Sequence, residues 1–183
     1  MSDSARSWLI LGGARSGKSR RALAHAERAA AAMGDEARRV YIATAQAFDD
    51  EMAARIQAHQ RERGPAWETI EAPLALAEAL AGHCSRRTVV VVDCLTLWLS
   101  NIVLAERDID YDCARLVDAI ARVNRDRLGV LHLVSNEVGL GIVPDNALAR
   151  RFRDAQGRLN QDVAAAVDRV EFIAAGLPLR MKG

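Results

Sequence analysis

Trp8-Leu9-Ile10-Leu11-Gly12-Gly13-Ala14-Arg15-Ser16-Gly17-Lys18-Ser19 is the stretch whose reading decides the fold of this 183-residue chain. An apolar run ends in glycine, eight residues fit G-x-x-x-x-G-K-[ST], and a helix-forming segment follows. Gly12 and Gly17 allow a tight turn and a close backbone approach to a phosphate. The loop N–H groups and the helix N-terminus form an anion cradle. Lys18 has the reach for β- and γ-phosphates, and the Ser19 hydroxyl can ligate Mg²⁺. The chain is therefore read as binding a nucleoside triphosphate. Of 25 cationic residues only Lys18 and Lys182 are lysines. The compact ammonium is kept where the loop requires it, in a chain that otherwise uses arginine.

The rest of the composition sets bounds. The length suits one domain over 1–183, with residues 1–7 expected to be a flexible polar tail. Half the residues are hydrophobic and the formal charge is +1, so nothing marks a nucleic-acid surface. Cys84, Cys94 and Cys113 lack metal-type spacing, which points to a reduced, cytoplasmic compartment. Cys94 is read as a core residue. No run is long enough to span a membrane, and no signal peptide is visible.

Apolar runs alternate with segments of helical period. Strands are expected at Trp8–Leu11, Val40–Ala43, Val89–Val92, Val130–Val134 and, last, Val170–Ala174. Helices are expected at Lys18–Met33, Asp49–Arg63, Leu74–Ala81, Leu95–Glu106, Asp112–Arg127 and Asn146–Asp168. That order implies an α/β fold, a mostly parallel sheet with helices on both faces, of the phosphate-loop NTPase, RecA-like type. Ligands then sit at the carboxyl ends of the strands.

Asp93 caps the apolar Val89–Val92 run, where such enzymes hold Mg²⁺; it could equally cap the next helix. In the Asp49–Arg63 segment, helical spacing puts Arg55, His59 and either Glu62 or Arg63 on one stripe. His59 reads either as a boundary histidine or as a nucleophile toward phosphorus. His25, His83 and His132 have weaker contexts: the first helix, a loop and a strand. Asn136–Pro144 reads as a substrate loop or a plain strand-to-helix connection.

Taken in order, five segments resemble one family along nearly the whole chain: Gly12–Ser19; Tyr41-Ile42-Ala43-Thr44-Ala45; Asp49–Gln57 with His59; Asp93-Cys94-Leu95-Thr96; and Asn136–Pro144. Asn146–Asp154 and Asn160 also fit. The family is the bifunctional adenosylcobinamide kinase/adenosylcobinamide-phosphate guanylyltransferase of cobalamin biosynthesis. The resemblance implies two reactions, with GTP, ATP and a corrinoid, adenosylcobinamide, as substrates and Mg²⁺ as cofactor. ATP or GTP phosphorylates the aminopropanol hydroxyl of adenosylcobinamide. A histidine then takes GMP from GTP and passes it on, giving adenosylcobinamide-GDP. The nucleophile maps onto His59; Ala58 stands where some relatives have another histidine. Lys18 is the second catalytic residue. Nucleotide contacts map onto Gly12, Gly13, Ala14, Arg15, Ser16, Gly17, Lys18, Ser19, Ala43, Thr44, Ala45, Gln60, Arg61, Glu62, Arg63, Glu71 and Asp93, and metal contacts onto Ser19 and Asp93. Several relatives carry Glu in place of Asp93. The resemblance also implies a homotrimer, for which an open apolar face on a helix such as Leu95–Leu104 could serve. Two rival readings remain: a recombinase-type nucleotide switch, which needs a nucleic-acid surface, and a simple kinase, which forms no covalent adduct. A GTPase switch is disfavoured because no Asn-Lys-x-Asp motif is present.

Overall fold

The computed structural model describes residues 5–46 and 63–183. The described elements are, in order, β1 (Ser7–Gly12), α1 (Lys18–Met33), β2 (Arg38–Ala43), β3 (Glu68–Glu71), α2 (Leu76–His83), β4 (Thr88–Asp93), α3 (Leu95–Leu104), α4 (Ile109–Arg125), β5 (Val130–Asn136), α5 (Ala147–Ala166), β6 (Arg169–Ala174) and β7 (Leu177–Lys182). The expected helix Asp49–Arg63, except Arg63 itself, lies outside the described residues. Among these, no helix is long and apolar enough to cross a membrane.

The strands form one sheet in the order β3-β2-β4-β5-β1-β6-β7. Every pairing is parallel except β6 with β7. This is the α/β sheet expected, of the phosphate-loop NTPase type. Side chains alternate across it with the strand period of two. Leu9, Leu11, Val90, Val92, Leu131 and Leu133 pack with α2–α5 on one face. Trp8, Ile10, Val89, Val91, Val130 and Val134 face α1 on the other. In α1 the buried stripe is Ala22, Ala26 and Ala30, one residue per turn, so the helix backbone lies close to the strands.

Four expectations change. Ser7 is not in a tail; it opens β1 and is buried, its hydroxyl bonded to Asn124 Oδ1 at 3.0 Å and its N–H to Asp168. The short strand Glu68–Glu71 is added beyond β2; only Ile70 in it is apolar, so its pairing, not its pattern, makes it a strand. Val170–Ala174 is not the last strand, because β7 returns antiparallel through the two-residue turn Ala175-Gly176. Both turn residues have positive φ (52° and 79°), the geometry whose twist suits a tight hairpin. Finally, the apolar face expected to lie open on α3 is mostly turned inward: Leu95, Trp98, Leu99 and Ile102 are buried, Leu97 and Val103 are half-buried, and Leu104 at its end is 62% exposed.

Beneath α1, the ring of His132 stacks on Trp8 at 4.8 Å between centroids, and His25 meets both edge-on. Burial first, and the neighbouring His25 second, push His132 down to about 3 from an ordinary 6.5. The folded protein thus keeps this imidazole neutral where the unfolded chain takes up a proton. Acidification from pH 6.5 toward 3 favours unfolding, by up to about 1.4 kcal/mol per pH unit from this residue. His132→Phe, which keeps the stack, should flatten the fall in urea midpoint between pH 6.5 and 4; an unchanged slope would show that other groups set the acid limit.

Candidate active site

The register places the site residues in one row at the carboxyl edge of the sheet. Glu71 pairs with Ala43, and Ala43 with Asp93. Gly12 lies between Asn136 of β5 and Ile173 of β6. The phosphate loop and Asp93 therefore leave the same edge, with β5 between their strands.

The loop geometry explains its glycines. A Cβ on Gly12 would collide with the carbonyl oxygen of Ile173, and the residue has φ +152°. Arg15 (φ 54°) and Gly17 (φ 101°) both take the left-handed conformation, the kind of turn that directs successive N–H groups into one concavity. The loop is tied to the hairpin by Gly176 N–H donating to Ser16 O at 3.0 Å. Lys18, at the first position of α1, is buried, and its ammonium donates to Gly13 O at 2.5 Å across the loop. The buried Ser16 hydroxyl has no hydrogen-bond partner among the described residues. A buried, unpartnered hydroxyl beside the turn at Gly12 fits a site that a polar ligand completes. Ser19 follows in the first turn of α1, while Ala14 and Arg15 are exposed.

Asp93 does not cap α3, whose N-cap residue is Cys94 and which has no side-chain cap. Its Oδ2 instead accepts from the Tyr41 hydroxyl at 2.7 Å. Burial and the charge of Asp93 push the Tyr41 phenol up from its ordinary value. Thr44 is a bolt within the protein. Its hydroxyl donates to Cys94 O at 2.7 Å and accepts from Cys94 N at 2.8 Å, its N–H reaches Asp93 O, and its carbonyl accepts from Asn101. Cys94 is core as expected, and burial pushes its thiol up to about 12. Ala43 and Ala45 flank Thr44, and Glu71 is exposed at the end of β3. Arg63 lies over the Tyr41 ring, its guanidinium carbon 3.6 Å from the centroid. His59, Gln60, Arg61 and Glu62 lie outside the described residues.

Sequence reading missed the support behind the row. The Ser135 hydroxyl donates to Asn160 Oδ1 at 2.7 Å, Asn160 Nδ2 to Asn136 O, Gln156 to both Ser135 and Asn160, and Asn136 N–H to Thr96. These groups are buried or nearly so, and they join α3, β5 and α5 directly under the start of the next loop. That loop begins with Glu137 N–H bonded to Gly12 O at 3.1 Å. It then carries Leu140 and Ile142 into solvent, 84% and 97% exposed.

A family model described as "Cobinamide kinase / cobinamide phosphate guanyltransferase" matches residues 8–181. The chain belongs to this family. Its relatives include the bifunctional adenosylcobalamin biosynthesis protein CobP of Pseudomonas aeruginosa, 47% identical over 175 residues, covering 96% of each chain. The proteins of that description named CobU in Escherichia coli and Salmonella typhimurium are each 40% identical, covering 95% of this chain and 98% of theirs. The chain is thus a kinase and nucleotidyltransferase of cobalamin biosynthesis.

The close contact at Gly12 gives a direct test. Gly12→Ala should cost about 2–3 kcal/mol through the clash with the Ile173 carbonyl. It should lower Tm by about 5–10 °C and abolish nucleotide binding measured by calorimetry. Wild-type binding in the alanine variant would show that the loop has room to spare beside the hairpin.

Proposed function

We propose that this enzyme performs both transfers at the described edge, through the residues named from the sequence. First, ATP or GTP gives its γ-phosphoryl group to the aminopropanol hydroxyl of adenosylcobinamide. Second, a neutral ring nitrogen of His59 bonds to the α-phosphorus of GTP while the α–β phosphoanhydride breaks and pyrophosphate leaves. A phosphate oxygen of adenosylcobinamide phosphate then bonds to that phosphorus, the phosphorus–nitrogen bond breaks, and adenosylcobinamide-GDP forms. The observation that supports this most is the common edge of the phosphate loop, with its buried Lys18, and Asp93.

Each residue has a physical task. The loop N–H groups and Lys18 hold and neutralise phosphate oxygens, most of all as charge builds in the transition state. The Ser19 hydroxyl and the Asp93 carboxylate suit a Mg²⁺ ion, which prefers one or two protein oxygens plus phosphates and water. Bound there, it would neutralise charge on the phosphates. Covalent transfer through His59 divides one difficult displacement into two easier ones. Arg15, Gln60, Arg61, Glu62, Arg63 and Glu71 complete the nucleotide contacts on this reading, with Ala43 and Ala45 lining the edge. The corrinoid meets the exposed loop around Leu140 and Ile142. The working enzyme is taken as a cytoplasmic homotrimer; Leu177, Leu179 and Met181, all exposed along the edge strand β7, form a surface that assembly would cover.

Incubation with α-³²P-GTP and Mg²⁺ tests the covalent step. The wild type should form an acid-labile, base-stable adduct that His59→Ala lacks. Lys18→Ala should reduce both the adduct and γ-³²P transfer to cobinamide by about 10²-fold or more. A wild-type protein that forms no adduct would leave only the kinase.

A further inference from the structure

Tyr41 is placed unlike an ordinary core aromatic. It lies in β2, paired with Val91 of β4 two residues before Asp93, and is almost fully buried. Phenylalanine would fill the same space, so the hydroxyl needs its own reason. Its partner is a carboxylate oxygen 2.7 Å away at the end of the neighbouring strand. A hydrogen bond to an ionised acceptor is short and directional, and fixes the rotation of the carboxylate.

The ring is itself held from three directions. Its backbone is locked between β3 and β4. Trp67 meets it edge-on, at 6.4 Å between centroids and 89° between planes. The Trp67 indole N–H donates to Glu27 Oε1 at 2.6 Å, and Glu27 belongs to α1, the helix that starts at Lys18. Arg63 covers the ring face and donates to Thr69 of β3 at 3.4 Å. A cation over an aromatic face is favourable and restrains both partners. A continuous series of fixed groups thus runs from the phosphate-loop helix through Trp67 and Tyr41 to Asp93, with Arg63 as its clamp.

We infer that Tyr41 is a positioning residue: its hydroxyl holds Oδ2 of Asp93, leaving the other carboxylate oxygen for the metal or a metal-bound water, and Arg63 holds the ring in place. This rests on the reading of Asp93 as the metal-side acid. Arg63, named above among nucleotide contacts, then acts on the site through Tyr41.

The test is titration of the intact protein with Mn²⁺ in saturating GDP, followed by electron paramagnetic resonance, with metal-free GDP affinity and Tm measured alongside. Tyr41→Phe should weaken Mn²⁺ binding by about 3–10-fold, with GDP affinity and Tm close to wild type. Asp93→Asn should weaken it at least as much. Arg63→Ala should act in the same direction by a smaller factor, and add little to Tyr41→Phe in the double variant. Unchanged Mn²⁺ affinity in Tyr41→Phe, with a loss in Asp93→Asn, overturns this inference and spares the Asp93 reading. No loss in Asp93→Asn overturns the Asp93 reading itself. If Tyr41→Phe fails to fold, Arg63→Ala decides, and wild-type Mn²⁺ affinity there overturns the inference.

Discussion

At Gly12 the phosphate loop and the β6–β7 hairpin touch so closely that the Ile173 carbonyl oxygen occupies the place of a side chain. The placement of the phosphate loop depends on that approach. It lets β1 run to its last residue beside β6, so the loop leaves the sheet at a fixed height. The Gly176–Ser16 bond then closes the hairpin over the loop. Because β7 is antiparallel and joined by two residues, the turn returns to the same edge, where it can reach the loop. The most C-terminal strand pair of the chain therefore braces its most N-terminal motif.

The other side of the site is braced differently. There α3, β5 and α5 are joined by a buried polar network of Thr96, Ser135, Gln156, Asn160 and the Asn136 backbone, in which only Gln156 Oε1 has no hydrogen-bond partner among the described residues. Hydrogen bonds of this kind specify one arrangement where apolar groups would tolerate several. The two supports differ in chemistry and share a result: the loop ends on either side of the phosphate site spring from fixed points.

The strand-loop-helix unit was legible from Trp8 to Met33 because a single short motif dictates backbone shape there. Lys18–Met33 is the helix that the sequence predicts, and the valine run at 89–92 is a central strand because no other placement buries four valines on both faces. β3 was hidden, because Glu-Thr-Ile-Glu has no inward pattern and is extended only through pairing with β2. β7 has the alternation Leu177, Leu179, Met181, but Pro178 within it argues for an edge at most, which is where it lies. In the site, the phosphate loop and Asp93 could be named from their positions after strands. That Asp93 is held by Tyr41, and that Thr44 uses its hydroxyl on Cys94, depend on which strands are neighbours. That order is set by the crossover connections, which periodicity along the chain does not encode.

The two lysines have a chemical consequence. Lys18 lies within the phosphate loop, while Lys182 closes the end of α5 by donating to the carbonyls of Ala164, Ala165 and Val167 at 2.6–3.0 Å. Apart from the terminal amine, an arginine-rich surface offers acylating reagents no other primary amine. Selective acylation therefore becomes a two-channel footprint, in which one channel reports the packing of the phosphate loop around Lys18 and the other fraying of the C-terminal hairpin.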